Sequence, residues 1–457
     1  MRDQVFESVN PATGDTFATT RVWTEDAVEQ ALEQAARQTK AWAQAGFAKR
    51  RALLEAVADS LESERDRLAG LVTAEMGKLA SEARAEVDKC VWVCRYYAEH
   101  AEGFLADDSV KTDARRSLVA HQPLGAVLAV MPWNFPLWQV FRFAAPAVAA
   151  GNVGLLKHAS NVMLCSEAIE DIFNRAGAPR GLFTQLPIKS ARVADLIDDS
   201  RIAAVTLTGS EPAGRAVAGQ AGKALKKSVL ELGGSDPFIV LEDADLDLAV
   251  QKAVQSRFMN AGQSCIAAKR FIVVDAVADD FERKLTKAVR DLRPGDPADD
   301  DTTLAPMARA DLRDEIHAQV EDAIKKGAEL LTGGKAVDGP GFFYEPTVIS
   351  GISADMRAYA EELFGPVASL FRVEDEAQAI RLANDSRFGL GGSVWTQDRD
   401  RGIAVARQLE CGCAFVNELV KSDPRVPFGG VKMSGYGREL SHHGIREFVN
   451  AKTIWVE

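Results

Sequence analysis

Hydrophobic residues recur at helical spacing through roughly the first quarter of the chain. This spacing predicts amphipathic helices over residues 24–44, 48–76 and 80–105, with Thr24 typical of a helix start. The stretch 109–121 is different, because its apolar and charged residues alternate without helical spacing. We therefore expect a helical N-terminal part followed by an extended excursion.

From Gly125 onwards, short apolar runs alternate with helical stretches, as in a parallel sheet that is covered on both faces. The first series has predicted strands at 126–130, 153–157, 183–186 and 202–210, and predicted helices at 138–149 and 165–176. A second series follows Gly234, with a helix at 246–260 and strands at 238–241, 270–274, 393–395 and 413–416. The alternation predicts two doubly wound α/β domains, with a ligand-binding cleft between them.

Composition narrows the class of protein. The 457 residues carry a formal net charge of −12, which argues against nucleic acid or an anionic membrane as the main partner. The longest apolar runs, 124–133 and 144–150, are shorter than the ~20 residues that a membrane-spanning helix needs. The first residues show no apolar h-region, so we expect no secretory signal, and six cysteines are too few for a disulfide framework. We therefore expect a cytoplasmic protein. We expect no metal site, since no H-E-x-x-H occurs.

Three residues are candidates for chemistry, and each has a bland alternative. Cys265 follows small and polar residues, but a lone cysteine is more often inert than nucleophilic. Glu231 lies in an apolar stretch, where a buried carboxylate is either a general base or half of a structural ion pair. Asn134 follows the strand 126–130 and is either an oxyanion donor or a turn residue.

Seven motifs, taken together, resemble the aldehyde dehydrogenase superfamily and occur in that family's order. They lie at residues 132–136, 157–160, 208–210, 231–234, 262–265, 361–366 and 427–430. The resemblance extends from residue 10 to residue 455, and it is greatest to the bacterial succinate-semialdehyde dehydrogenases. It implies a Rossmann-like cofactor-binding domain over 1–107 and 123–231, a catalytic domain over 232–430, and an oligomerisation segment over 108–122 and 445–457.

The resemblance also implies roles for the three candidates. Cys265 would attack the aldehyde carbonyl, and after hydride loss it would carry the acyl group as a thioester. The amide of Asn134 and the main-chain N–H of Cys265 would stabilise the oxyanion. Glu231 would activate the water that hydrolyses the thioester. This general base is unnecessary in the rival class of CoA-acylating dehydrogenases, and a non-enzymatic binding protein would need none of the three.

The cofactor is inferred from the resemblance alone, because the sequence contains no G-x-G-x-x-G. The positions implied to contact it are Trp133, Lys157, Ser160, Gly209, Ser210, Leu232, Glu362 and Phe364, the last two at the nicotinamide ribose. NAD-preferring relatives usually have a glutamate at the position of Ser160, which would repel a 2′-phosphate. Serine near Lys157 would accept that phosphate, so we expect NADP to be preferred over NAD unless Ser160 is merely permissive.

The substrate is predicted to be succinic semialdehyde, with another or a broad range of aldehydes as the alternative. Arg142 occupies the position where the succinate-semialdehyde enzymes bind the distal carboxylate, and Ser422 and Arg425 lie on a loop that borders the substrate entrance. A second arginine of some relatives is replaced by Met259, two residues after Arg257, which puts a second carboxylate contact in doubt.

Two further expectations follow from the same resemblance. Some relatives have a second cysteine two residues after the nucleophile and use it as a redox switch. The equivalent residue here is Ala267, so we expect no reversible disulfide at Cys265. The segments 108–122 and 445–457 match strands that join subunits in the family, which predicts a homodimer or a homotetramer.

Overall fold

A computed structural model describes residues 5–457. The helices of these residues are α1 Glu25–Ala43, α2 Phe47–Ser63, α3 Arg65–Met76, α4 Ala80–Phe104, α5 Trp138–Ala150, α6 Met163–Arg175, α7 Val193–Asp198, α8 Glu211–Lys223, α9 Leu246–Phe258, α10 Asp275–Arg290, α11 Ala310–Lys325, α12 Arg357–Ala360, α13 Glu376–Asn384, α14 Arg399–Ala406 and α15 Ser441–Arg446. None of the helices in this range is both long and apolar enough to cross a membrane.

The strands form two large sheets and three small ones. In chain order they are β1 Val5–Val9, β2 Thr16–Arg21, β3 Asp108–Val110, β4 Arg116–Pro123, β5 Ala126–Val130, β6 Val153–Lys157, β7 Phe183–Gln185, β8 Ile202–Thr208, β9 Lys227–Glu231, β10 Asp236–Val240, β11 Ala268–Val274, β12 Glu329–Thr332, β13 Thr347–Ser350, β14 Val367–Val373, β15 Phe388–Gly389, β16 Gly391–Trp395, β17 Cys413–Val416, β18 Val431–Lys432, β19 Gly435–Tyr436 and β20 Val449–Val456. The architecture is the doubly wound α/β class that the alternating pattern predicts.

The first large sheet has the strand order β19-β9-β8-β5-β6-β7 and is parallel except for β19. The chain moves outward from β5 through β6 to β7, then returns to the other side of β5 with β8 and β9. This reversal creates a switch point between β5 and β8, and ligands of open α/β sheets bind outside the carboxyl ends of strands at such a point. The loops after β5 and β8 carry Asn134 and Gly209, so both residues lie at this edge.

The second large sheet has the order β12-β13-β14-β11-β10-β16-β17, and only β12 runs antiparallel to its neighbour. The turn from residue 259 to residue 267 leads into its strand β11 and carries Cys265. The short strand β19, from the C-terminal part of the chain, pairs with β9 of the first sheet through Gly435 and Glu231. The chain thus returns from the second sheet to the first after residue 430.

A three-stranded antiparallel sheet, β20-β4-β3, accounts for the predicted extended excursion. Two helix predictions need correction. The predicted helix 48–76 is two helices, because Glu64 leaves helical geometry with ψ 10° between α2 and α3. The predicted helix 246–260 ends at Phe258, since Asn260 and Ala261 have left-handed backbone angles.

Candidate active site

A cavity of about 530 Å³ brings several of the predicted residues together. Its wall includes Lys89 from α4, Arg142 from α5, Cys265, and Ser422 with Phe428 from the loop after β17. The volume is within the range of small-molecule sites. A thiol and two cations therefore face the same cavity.

The turn that carries Cys265 is fixed by the fully buried side chain of Arg257. Its guanidinium donates to the carbonyl oxygens of Gly262 at 2.7 Å, Leu363 at 3.2 Å and Gly365. Arg257 is thus a structural residue, because its guanidinium donates hydrogen bonds to main-chain carbonyl oxygens. Met259, where some relatives have a second arginine, does line the cavity, so no arginine at these two positions faces the substrate.

Lys269, also fully buried, lies beneath the nucleophile. Its ammonium group donates to the carbonyl oxygens of Ser264 and Cys265, each at 2.8 Å, and pairs with Glu362 at 3.2 Å. In a trans peptide the C=O and N–H point in opposite directions, so the N–H of Cys265 points away from Lys269. Within residues 5–457 that N–H donates to no protein acceptor. It is available for a ligand oxygen.

Asn134 is buried and joins the loop after β5 to the nucleophile turn. Its Nδ2 donates to the main-chain carbonyl oxygen of Gln263 at 3.0 Å, and its main-chain carbonyl oxygen accepts from Asn260 Nδ2 at 2.9 Å. A side-chain amide has two N–H donors, so one remains for a second acceptor. The predicted oxyanion donor is therefore held against the turn that bears Cys265.

Burial raises the pKa of the Cys265 thiol to about 12, although Arg142 and Lys269 oppose the shift. A thiol with this pKa is protonated at neutral pH. The nucleophile, which must be the thiolate, therefore requires a proton acceptor or an added positive charge at the site.

Glu231 is the last residue of β9 and is 2% exposed. Burial, reinforced by Glu439, raises the pKa of its carboxyl well above the usual range, against the opposing effect of Arg142 and Arg438. Neither carboxyl oxygen has a hydrogen-bond partner in the part of the chain that the structure describes. Glu231 does not line the cavity in this conformation. It is thus a buried carboxyl group whose orientation is not fixed by any hydrogen bond within the described residues.

Arg142 lines the cavity, but its charge is already compensated. Its guanidinium forms an ion pair with Glu439, lies 4.8 Å from the ring centroid of Phe428, and approaches the hydroxyl of Thr208 at 3.4 Å. Both members of the pair are buried. Glu439 was not among the predicted site residues, because nothing in the local sequence marks a carboxylate whose partner lies on a distant helix.

The two predicted residues of the loop after β17 differ in position. Ser422 lines the cavity and accepts a 2.8 Å hydrogen bond from Lys89. Arg425 does not line it, because Asp423 holds its guanidinium at 2.6 and 2.9 Å and it lies over the ring of Trp92. The structure thus does not bring Arg425 to the substrate space. Lys89 takes part instead, and the sequence analysis missed it.

The positions implied to contact the cofactor fall into three groups. Trp133 and Phe364 pack edge to face with ring centroids 5.9 Å apart, and Glu362 accepts from the N–H of Gly234 at 3.1 Å. Gly209 and Ser210 precede α8, which begins at Glu211 and whose Gly214 packs on Leu232.

Lys157 and Ser160 form the third group, at the carboxyl end of β6. Lys157 is buried and donates to Ser190 at 3.2 Å, and Ser160 is exposed. The side chain of Ser210 makes no capping bond, so the N-terminal amides of α8 are open to an anion. With a cation nearby and no carboxylate at Ser160, these residues fit a phosphorylated dinucleotide.

The fold and this arrangement define an oxidoreductase of a known class: the chain matches the aldehyde dehydrogenase family over residues 1–454, and it belongs to that family. It is 53% identical to a probable NADP(+) succinate-semialdehyde dehydrogenase of Synechocystis, over 98% of this chain and 99% of the relative. It is 47% identical to the NAD(P)+ succinate semialdehyde dehydrogenase of Escherichia coli K12, over 98% and 97%. Its structure superposes with TM-score 0.97 on succinic semialdehyde dehydrogenase from Streptococcus pyogenes with NADP+, at 42% identity and 99% coverage of both chains.

Proposed function

We propose that the chain oxidises succinic semialdehyde to succinate through a thioester on Cys265, with NADP preferred as the hydride acceptor. The observation that carries the proposal is the shared wall of one cavity, in which the candidate nucleophile and the cationic side chains of Arg142 and Lys89 lie together. An aldehyde that bears a carboxylate matches this combination of a thiol and positive charge. The names of the relatives support the same substrate.

The residues of the chain divide the chemistry among them. Cys265 as thiolate attacks the aldehyde carbon, and the resulting oxyanion accepts hydrogen bonds from Asn134 Nδ2 and the main-chain N–H of Cys265. Bound NADP would supply the hydride acceptor for that carbon, and Glu362 and Phe364 would hold its nicotinamide end. Glu231, once it has lost its proton and turned towards the cavity, removes a proton from the water that hydrolyses the thioester. Collapse of the tetrahedral intermediate breaks the C–S bond, which releases succinate and regenerates the Cys265 thiolate, and the proton held by Glu231 passes to solvent.

NADP preference is proposed from the surroundings of β6. Lys157 supplies a cation and Ser160 supplies a hydroxyl where a glutamate would repel the 2′-phosphate. Trp133, Glu362 and Phe364 are proposed to hold the nicotinamide end. The anionic linkage between the two nucleosides is proposed to lie at the N-terminus of α8, beside Gly209, Ser210 and Leu232.

The test is a set of initial rates with succinic semialdehyde and with propanal, each with NADP and with NAD. We expect kcat/KM to favour the semialdehyde by at least about tenfold, since a buried ion pair discriminates against an uncharged analogue. We also expect kcat/KM to be higher with NADP than with NAD. Comparable rates with both aldehydes would leave a dehydrogenase of broad aldehyde specificity, and equal use of NAD would contradict the preference.

We further propose a cytoplasmic homodimer or homotetramer, with 108–122 and 445–457 as the oligomerisation segment beside a cofactor-binding and a catalytic domain. Residues 450–456 of the strand β20 are all exposed, including the apolar Ile454, Trp455 and Val456. Apolar side chains on such a strand are usually covered in the assembled protein. Light scattering with size exclusion would give the mass, and a monomer would refute the proposal.

A further inference from the structure

The cavity contains four cationic side chains, and three of them are already paired with a carboxylate. Lys78 pairs with Glu86, Arg142 with Glu439 and Lys421 with Glu418. The fourth is Lys89, to which no acidic side chain within residues 5–457 forms an ion pair. A buried or half-buried charge without a counter-charge is costly unless a ligand supplies one. Glu82, the other carboxyl group of the wall, accepts from the main-chain N–H of Asn260 instead. Among the described residues, Lys89 is therefore the cationic side chain of the wall that has no ion-paired carboxylate.

The surroundings of Lys89 direct this charge to the cavity. Its ammonium group donates to Ser422 Oγ at 2.8 Å and lies 4.3 Å from the ring centroid of Trp138, and both of these partners also line the cavity. The hydroxyl of Ser422 accepts from Lys89, so its own hydrogen is free to donate to a second oxygen. An ammonium and a hydroxyl side by side, both aimed into one space, match the two oxygens of a carboxylate.

We propose that Lys89, with Ser422, binds the distal carboxylate of the substrate and is a further determinant of charge specificity beside Arg142. This inference rests on the proposed oxidation of succinic semialdehyde. Arg142 already has a counter-ion in Glu439, whereas Lys89 has no ion-paired carboxylate among the described residues. Burial and the proximity of Arg142 lower the pKa of Lys89 to about 8, so it is mostly charged at neutral pH.

The experiment uses the full chain at pH 7 with saturating NADP, and compares succinic semialdehyde with pentanal, an uncharged aldehyde of similar length. Lys89→Met should raise KM for the semialdehyde at least about tenfold with little change in kcat, because binding to a remote charge is the same in the ground and transition states. The kcat/KM for pentanal should stay within about twofold of the wild type. Lys89→Arg, which keeps the charge, should retain most of the preference.

The matched control is Arg425→Met, which removes a cation on the same loop as Ser422 but outside the cavity. It should leave kcat/KM unchanged for both aldehydes. An unchanged KM for the semialdehyde in Lys89→Met would overturn the assignment. An equal loss of kcat/KM with both aldehydes would also overturn the assignment, since that result indicates a structural role for Lys89. Should Lys89→Met be poorly folded, Ser422→Ala is a smaller change that tests the same site. It should also raise KM for the semialdehyde, and an unchanged KM would count against the site.

A second measurement separates this inference from the proposed function. Succinate is a carboxylate probe that needs no chemistry, and its inhibition constant against pentanal oxidation should rise at least about tenfold in Lys89→Met. If the wild type does not prefer the semialdehyde, the proposed substrate fails, but weakened succinate inhibition would still support Lys89 as a carboxylate site. Unchanged inhibition by succinate would refute it.

Discussion

The buried ammonium group of Lys269 is predicted to increase the reactivity of Cys265. Replacing Lys269 by Met keeps most of the volume and removes the charge that opposes the raised thiol pKa. As a general scale, two unit charges about 6 Å apart at an effective dielectric constant of about 20 interact by about 3 kcal/mol, or about two pKa units. Glu362 pairs with Lys269 and loses its counter-ion in the variant, so compensation from that residue is not expected.

The assay is the second-order rate constant for alkylation of Cys265 by iodoacetamide in the enzyme without cofactor, followed by peptide mass spectrometry. Below the thiol pKa of about 12, the thiolate fraction rises tenfold per pH unit, so the variants should give parallel lines of log rate against pH. The rate constant of Lys269→Met should be ten- to a hundredfold below that of the wild type at each pH, because the thiol pKa rises by about one to two units. Lys269→Arg, which retains the charge, should lie close to the wild type.

Coincident lines for the wild type and Lys269→Met would refute the electrostatic reasoning. A loss shared by Lys269→Met and Lys269→Arg would instead indicate that the hydrogen bonds to the Ser264 and Cys265 carbonyls position the turn. Circular dichroism of each variant tests whether the fold is retained.

Two further predictions concern stability and cofactor choice. Lys78→Met should lower the free energy of unfolding by about 3–5 kcal/mol, because Glu86 stays buried without its ion-pair partner and keeps only the weaker support of its bonds to the N–H groups of Leu137 and Trp138 and of nearby Lys89. Urea denaturation measures this change, and a loss below about 1 kcal/mol would contradict it. Ser160→Glu should reduce kcat/KM with NADP at least about tenfold through repulsion of the 2′-phosphate, and should not reduce it with NAD. Equal losses with both cofactors would show that Ser160 does not discriminate between them.

The sheets could be predicted because the information is local. Strands such as β5 and β8 are short apolar runs buried on both faces, and such runs are recognisable without knowledge of their partners. The end of α9 could not be predicted from its own residues. Asn260, where the backbone becomes left-handed, donates its main-chain N–H to Glu82 and its Nδ2 to the main-chain carbonyl oxygen of Asn134, and both acceptors are distant in sequence.

Some residues of the site could likewise be predicted from the sequence, and others could not. Cys265 and Asn134 were identified from motifs, and the structure places the amide against the nucleophile turn, although their catalytic roles stay predictions. Lys89 was missed because a lysine on an amphipathic helix is indistinguishable from a solvated one until the opposite wall is known. Arg425 could have been interpreted correctly from the sequence, since Asp423, two residues earlier, is a local partner for its charge.

The hydrogen bond from Lys269 to the carbonyl of Ser264 has a practical consequence for crystallography. It fixes the orientation of the peptide that follows, so the N–H of residue 265 keeps its direction whatever side chain that residue carries. A Cys265→Ala variant therefore loses the nucleophile and keeps the main-chain donor. Soaking such crystals with the aldehyde would trap the unreacted carbonyl on its donors, and so provide an image of the complex that the active enzyme converts too quickly to observe.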